Sequence, residues 1–198
     1  MIDNKAFPEF MQNPQAITHM MQAAVVNPME IIDRKIITSF QSFPEIVLDT
    51  NDAQCQIQQN GIDLRFANAK IALGVTIFSM QEGKSLKCSY GDGTIVDGRC
   101  VSFSKGEMYS MNFMEYVEVP EGMMATIYTR SSINRYSGTI ISGLYDSGFR
   151  GQIGAIYRPN IDTKVEVGYR MAQIVFFRAD SYRLYAGQYQ DQRGHINK

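Results

Sequence analysis

The most informative stretch of the sequence is Gly143-Leu144-Tyr145-Asp146-Ser147-Gly148-Phe149-Arg150-Gly151. It places one carboxylate and one aromatic ring in a glycine-rich turn. An aspartate side chain is ionised near neutral pH, so Asp146 can orient or deprotonate a water or a sugar hydroxyl. Earlier in the chain, Arg130 and Ser131 offer a guanidinium fork and a hydroxyl, which suit phosphate oxygens. The two segments together predict a nucleotide site.

Three segments with a fixed order accompany this stretch. They are Gln58-Gln59-Asn60-Gly61-Ile62-Asp63-Leu64-Arg65, Arg130-Ser131-Ser132 and Gly168-Tyr169-Arg170-Met171-Ala172-Gln173-Ile174. Together with residues 143–151 as the third motif, they resemble the first, second and fourth motifs of the superfamily of trimeric dUTPases and dCTP deaminases. The first motif is in the deaminase style. A lone Arg-Ser-Ser carries no weight, whereas four motifs in register across residues 29–194 are hard to obtain by chance.

The pattern beyond residue 45 predicts a mostly β domain, either a barrel or a sandwich, preceded by an α segment. Short segments rich in β-branched and aromatic residues give strand candidates at residues 117–119, 125–129, 153–157 and 171–177. The Asp92-Gly93 pair predicts a hairpin turn. The resemblance implies a distorted jelly-roll-like β-barrel of the dUTPase type with N-terminal helices. It also implies a homotrimer whose active sites lie between subunits, so that symmetry supplies motifs from neighbouring copies.

Two helices are expected near the N-terminus. Residues 15–26, rich in Met and Ala, are the first candidate. Asn27 before Pro28, with Glu30 three residues after Asn27, predicts the start of the second. Its expected buried face recurs at spacings of three and four: Met29, Ile32, Ile36 and Phe40.

Composition predicts a soluble, cytoplasmic protein. The 198 residues are 44% hydrophobic, which suits one domain over residues 1–198, with residues 1–28 as an N-terminal extension. The net charge is -1 and no dense Lys/Arg block occurs, so neither a nucleic acid nor a membrane is expected as a partner. Cys55, Cys88 and Cys100 form no CxxC pair and have no nearby histidine, which disfavours disulfides and zinc. No secretion signal or membrane-spanning run is expected.

The resemblance implies a role for each motif residue in hydrolysing a deoxynucleoside triphosphate between its α and β phosphates. Asp146 would hold the 3'-hydroxyl of the deoxyribose and activate a water. Asp63 would support Mg²⁺ through a coordinated water. Phe149 would pack under the sugar, where a 2'-hydroxyl would otherwise fit. The remaining substrate-binding residues implied are Arg130, Ser131, Ser132, Gly143 and Gln173, with Gln192 and Arg193 in the C-terminal tail.

Simpler interpretations compete with these roles. Asp146 can be a turn former and Asp63 a strand-end cap. Phe149 can be a core residue, Gln173 can satisfy backbone groups, and Arg130 can be a surface ion-pair partner.

The chain departs from the family pattern at Ile156. In dCTP deaminases a glutamate lies ten residues beyond the third-motif aspartate and serves the proton transfers that expel ammonia. Here that position is Ile156, and no acidic residue occurs between Asp146 and Asp162. Because an aliphatic side chain cannot carry protons, deamination is disfavoured. The hairpin expected to read the base, residues 137–143, is short, and the tail is more similar to that of the deaminases.

The resulting hypothesis is a Mg²⁺-dependent, homotrimeric dUTP diphosphatase that yields dUMP and pyrophosphate. Three alternatives stay open: a pyrophosphatase for dCTP or a modified deoxypyrimidine triphosphate, a dCTP deaminase, and a noncatalytic nucleotide-binding regulator on the same scaffold. A purely structural trimer would show no stabilisation by nucleotide.

Overall fold

The computed structural model describes residues 25–73, 89–92, 94–96, 98–187 and 189–191. Strands dominate this part of the chain, with two short helices. The elements are α1 (Pro28–Asp33), β1 (Ile37–Ser39), β2 (Ile62–Leu73), β3 (Ser89–Asp92), β4 (Thr94–Val96), β5 (Cys100–Phe103), β6 (Tyr109–Glu118), β7 (Met123–Thr129), α2 (Ser131–Tyr136), β8 (Gly138–Ile141), β9 (Arg150–Pro159), β10 (Thr163–Glu166) and β11 (Arg170–Arg178).

The larger sheet has eight strands and curls until its two ends meet. Its order is β7-β11-β2-β6-β9-β8, with β1 added beside β6 and β3 beside β2. Between the end strands, Thr129 Oγ1 accepts a hydrogen bond from the Ile140 amide at 2.8 Å and donates to its carbonyl at 3.1 Å. Ala125 and Tyr145 form an antiparallel bridge at the same closure. The predicted mostly β, barrel-like fold is confirmed.

A smaller sheet, in the order β10-β5-β4, adds an aromatic cluster to the core. Phe103 of β5 is fully buried. Its ring meets Phe66, Tyr109 and Tyr157 edge to face at 5.7, 4.8 and 5.0 Å. Such pairs add about 0.5–1.5 kcal/mol each beyond the area they bury. The cluster fixes β2, β6 and β9, three strands of the larger sheet, against β5.

Three of the four strand candidates lie within β7, β9 and β11, and the candidate at residues 117–119 overlaps the end of β6, which stops at Glu118. In β7 the buried residues alternate, as expected for a strand with one face on the core. In β11 buried residues run almost continuously, so both faces of this strand are covered.

The second predicted helix begins as expected but ends early. The Asn27 side chain accepts a hydrogen bond from the Met29 amide at 2.9 Å, and α1 then ends at Asp33. The chain pairs with β6 from Ile37 onward, so the predicted helical stripe to Phe40 is wrong. Met29 is 47% exposed, while Ile31 is buried. A six-residue helix gains little on its own, and strand pairing determines the rest of the segment.

Two further predictions differ from the structure. The first predicted helix, residues 15–26, lies outside the described residues except at its end, where Val25 forms a bridge with Phe177 rather than a helix. Of the strands beside Asp92-Gly93, β3 pairs with β2 and β4 with β5. The predicted hairpin is therefore wrong, because the strands on either side belong to different sheets. Within the described residues, no helix is both long and apolar enough to span a bilayer.

Candidate active site

A cavity of about 460 Å³ opens beside Asp146. Its walls come from β3, β6, β8, β9, the loop between β8 and β9, and the C-terminal segment. The Asp146 side chain is exposed and accepts no hydrogen bond or ion pair from any residue that the structure describes. It is the one carboxylate among the described residues that line the cavity, and no lysine, arginine or histidine lines it. Asp146 is therefore free to act on a ligand.

The loop that carries Asp146 is held on both sides. Tyr145 exchanges backbone hydrogen bonds with Ala125 at 2.8 and 2.9 Å, and its buried hydroxyl donates to the Gly154 carbonyl. Burial raises the pKa of Tyr145 well above its ordinary value, so this hydroxyl keeps its proton. Gly148 has a φ of 85°, a conformation that favours glycine, and its amide bonds the Val119 carbonyl at 2.8 Å.

Phe149 forms part of both the cavity wall and the core. It is 7% exposed and packs edge to face on Tyr145 and Tyr185, with ring centroids 5.0 and 5.6 Å away. Within a single chain, the Phe149 ring packs as a core residue does. Its role under the sugar stays a prediction.

A second cluster surrounds Asp63, which is 1% exposed. Asp63 Oδ2 pairs with Arg130 Nε at 3.0 Å and with an Arg170 guanidinium nitrogen at 3.2 Å. Its Oδ1 accepts a longer hydrogen bond from Gln173 Nε2 at 3.4 Å. Burial raises the pKa of Asp63, and the two guanidiniums oppose that rise. Three motifs thus meet at one carboxylate, with β2, β7 and β11 supplying the positions.

This arrangement does not fit Asp63 as a direct ligand of Mg²⁺, whereas its predicted support of Mg²⁺ through a coordinated water stays a prediction. Both carboxylate oxygens already face cationic or amide donors, and a metal ion would add positive charge beside two guanidiniums. No group of three or more His, Cys, Asp or Glu side chains able to hold a metal occurs in the described part of the chain.

Arg170 is a member of the Asp63 cluster that the sequence prediction left out. Besides Asp63, its guanidinium donates to the Ala53 carbonyl at 3.0 Å and to the Cys55 carbonyl, which ties the segment before β2 to β11. Arg130 in turn donates to the Arg170 carbonyl at 2.7 Å. The position of Arg170 in the fourth motif is the feature of the sequence that could have identified it as a site residue.

The predicted site residues fall into two groups. Gly143, Asp146 and Phe149 line the cavity, as does Ile156, whereas Arg130, Ser131, Ser132 and Gln173 do not. Ser131 is exposed and Ser132 half-buried at the start of α2. Of the predicted base-reading segment, residues 137–143, Gly138–Ile141 form β8, which pairs antiparallel with β9, and its role in reading the base stays a prediction. Gln192 and Arg193 lie outside the described residues.

The C-terminal segment docks on the loop of its own chain that carries Asp146. The Tyr185 amide donates to the Ser147 carbonyl at 2.7 Å. Gln190 donates to the Gly148 carbonyl at 2.8 Å and accepts from the Arg150 amide at 3.1 Å. Arg150 forms a bidentate pair with Asp191 at 2.5 and 2.9 Å. The tail therefore starts beside the third motif, which the sequence did not reveal.

Comparisons with known proteins give a family and a fold. A family model described as dCTP deaminase-like matches residues 31–179. A dCTP deaminase from Staphylothermus marinus is 30% identical over 147 residues, covering 70% of this chain and 81% of the relative. A probable deoxyuridine 5'-triphosphate nucleotidohydrolase from Methanosarcina acetivorans is 25% identical over 163 residues, covering 80% and 93%. A solved 2'-deoxycytidine 5'-triphosphate deaminase from Agrobacterium tumefaciens has a TM-score of 0.56 at 17% identity, covering 79% of this chain and 48% of that one.

Proposed function

This chain belongs to the dCTP deaminase-like family, and from that premise we propose that it hydrolyses dUTP to dUMP and pyrophosphate. The relatives include proteins named for dCTP deamination and for dUTP hydrolysis, so the family gives the class of enzyme and nucleotide but not the reaction. The choice between the two depends on the chemistry at the cavity.

The observation that carries the proposal is the single carboxylate in the cavity. Asp146 is exposed there, and β9 presents Ile156 on the cavity wall, opposite Ser110 of β6. Expelling ammonia from a cytosine ring needs a group that moves protons to and from the ring. Ile156 cannot do this, and the described lining residues offer no second acid. A water directed at a phosphorus needs only one carboxylate as its base.

In the proposed mechanism Asp146 holds the sugar hydroxyl and orients the attacking water. Arg130, Ser131 and Gln173 neutralise and position the phosphates, with Ser132 beside them and Gln192 and Arg193 joining from the tail. Phe149 supports the sugar at the cavity wall. Asp63 and Arg170 hold Arg130 in place, so Asp63 is assigned a positioning role and not that of a metal ligand.

The separation of the two groups supports a homotrimeric enzyme with composite sites. Within one chain, the phosphate-binding candidates do not line the cavity that contains Asp146. Threefold symmetry would place the Asp63 cluster of one copy against the cavity of the next. We propose that each active site forms in this way. The mass of the protein in solution, by light scattering, would check the trimer.

Replacing Asp146 by Asn tests the proposal directly. Asn keeps the shape but cannot accept a proton from water, so we expect turnover of dUTP to fall by about 10²–10⁴-fold while nucleotide binding is retained. The measurements are pyrophosphate and ammonia release from dUTP and dCTP. Asp33→Asn, a change to an exposed aspartate at the end of α1, is the matched control.

The outcomes separate the alternatives. Ammonia release from dCTP by the wild type would refute the reasoning from Ile156. Release of pyrophosphate from dCTP and not from dUTP would indicate the alternative in which the protein is a dCTP pyrophosphatase. Tight binding with equal, negligible turnover in wild type and Asp146→Asn would indicate a nucleotide-binding regulator.

A further inference from the structure

We infer that Asn112 and Gln152 recognise the base of the nucleotide, reading the hydrogen-bonding edge of a neutral pyrimidine ring inside the cavity. The inference rests on the proposed function for the class of ligand. It concerns two buried side chains that no motif contains.

Both amides belong to the cavity wall although they are almost fully buried. Asn112 is 4% exposed and Gln152 5%, and both line the cavity with Asp146. Asn112 of β6 lies opposite Gly154 of β9, while Gln152, Gly154 and Ile156 share one face of β9 because strand residues alternate. Both amides therefore lie on the cavity face of the paired strands β6 and β9, the face that also carries Ile156.

Each amide is satisfied on one side only. Gln152 Nε2 donates to the Phe113 carbonyl at 2.8 Å, and Asn112 Nδ2 donates to Asn68 Oδ1 at 3.1 Å. Neither Gln152 Oε1 nor Asn112 Oδ1 accepts a hydrogen bond from any residue that the structure describes. A buried acceptor without a donor is unfavourable, so two of them at a cavity wall favour a ligand that donates hydrogen bonds to them.

Gly154 keeps the space beside Asn112 open. A Cβ at this position would lie 3.1 Å from Asn112 Oδ1, tighter than ordinary van der Waals contact. Any side chain here would crowd the uncommitted acceptor. The Tyr145 hydroxyl binds the backbone of Gly154 and holds the strand at this point.

The charged residues of the cavity indicate which part of the nucleotide binds there. Asp146 is the one charged side chain among the described lining residues, and no cation is present to receive phosphates. The part of the site that one chain's own cavity forms therefore suits the neutral ring, and the triphosphate would lie toward the Asp63 cluster of the neighbouring copy. Each anchored amide keeps one acceptor and one N–H, the complement of the adjacent donor and acceptor on a pyrimidine edge. This assigns base reading to side chains of β6 and β9 in addition to the expected backbone of residues 137–143.

Binding measurements with altered bases test this inference without relying on turnover. The ligands are nonhydrolysable α,β-imido analogues of dUTP, dCTP and 3-methyl-dUTP, the last lacking the ring N–H. We expect the wild type to prefer dUTP to 3-methyl-dUTP by about 10–100-fold, since a good bidentate contact is worth about 1–3 kcal/mol of discrimination. In Gln152→Met, which keeps the length but not the amide, the ratio should fall to within about threefold by loss of that contact.

One control variant and one further test variant accompany this measurement. Gln54→Met, at an exposed position, should leave the ratio unchanged. Gly154→Ala keeps both amides but narrows the space, so it should weaken binding of both dUTP and dCTP analogues while leaving inorganic tripolyphosphate unaffected. It also provides the second test if Gln152→Met does not fold.

The same dUTP to 3-methyl-dUTP ratio in wild type and Gln152→Met, or unchanged dUTP and dCTP binding in Gly154→Ala, would overturn the inference. If dUTP is hydrolysed yet the ratio persists in Gln152→Met, base recognition is assigned wrongly and the proposed function stands. If the ratio collapses in Gln152→Met but the wild type hydrolyses no nucleotide, the assignment of base recognition stands and the proposed function is wrong.

Discussion

At the scale of single residues, the least expected feature is a buried ion pair between Arg65 and Glu115. Glu115 accepts hydrogen bonds from the Arg65 amide at 3.0 Å, from Arg65 Nε at 2.8 Å and from Gln56 Nε2 at 2.8 Å. The Arg65 guanidinium also donates to the Pro44 and Glu45 carbonyls at 2.8 and 3.2 Å. The pair links β2, β6 and the segment that precedes β2. Arg65 directly follows Asp63 and Leu64 in the first motif.

We predict that Glu115→Ala lowers the free energy of unfolding by about 3–5 kcal/mol, because it leaves the Arg65 charge buried without a partner. Replacing both partners, as in Arg65→Met with Glu115→Leu, should recover much of the loss, since neither charge is then buried. Urea denaturation of the two variants measures this. A double variant less stable than Glu115→Ala would contradict it.

At the scale of elements, the pairing of β2 with β11 controls the Asp63 cluster. Gln173 lies opposite Asp63 in the register of these strands. Gly61, directly before β2, lies close to β11. An added Cβ at Gly61 would lie 2.6 Å from the Ile174 carbonyl oxygen and 2.8 Å from Gln173 Cγ. Since a backbone atom cannot move aside alone, β11 would have to shift.

Gly61→Ala should therefore destabilise the protein by about 1–3 kcal/mol, the usual cost of overpacking. It should also displace Gln173 and weaken triphosphate binding. Gly143→Ala is the matched stability control, because a Cβ at Gly143 meets nothing within 4 Å. Thermal unfolding of both variants checks the difference. Equal stability of the two would show that the β2 and β11 contact can relax.

At the scale of the whole molecule, the predicted site residues of each chain lie in two groups. The cavity beside Asp146 and the cluster around Asp63 use different strands of one barrel, and the tail joins the first of them through Arg150 and Asp191. If a trimer completes each site, the two halves come from different copies.

Mixing two inactive variants tests this composite site. Chains with Asp146→Asn and chains with Arg130→Gln should each lack turnover alone. Co-assembled in equal amounts, they should recover about one quarter of the wild-type activity, because each site needs an intact Arg130 from one copy and an intact Asp146 from the next. Pyrophosphate release from dUTP is the measurement. Mixed oligomers without any recovery would indicate that both residues act within one chain.

Local patterns predicted the strands well and the N-terminal segment poorly. Residues 125–129 and 171–177 alternate or run apolar in ways that are typical of strands, and they lie in β7 and β11. The stripe from Met29 to Phe40 fits a helix equally well by spacing. However, residues 37–39 gain backbone partners from β6, which no local pattern shows.

The sequence by itself determined the mostly β class, the order of the four motifs and the aliphatic residue at position 156, because these depend on local periodicity and residue identity. Only the tertiary structure decided which side chains meet. Arg170 reaches Asp63 across 107 residues, Glu115 reaches Arg65 across 50, and Asn112 reaches Asn68 across 44. Such contacts follow from the register between strands distant in the chain. Register depends on the combined packing of the core, and no single segment encodes it.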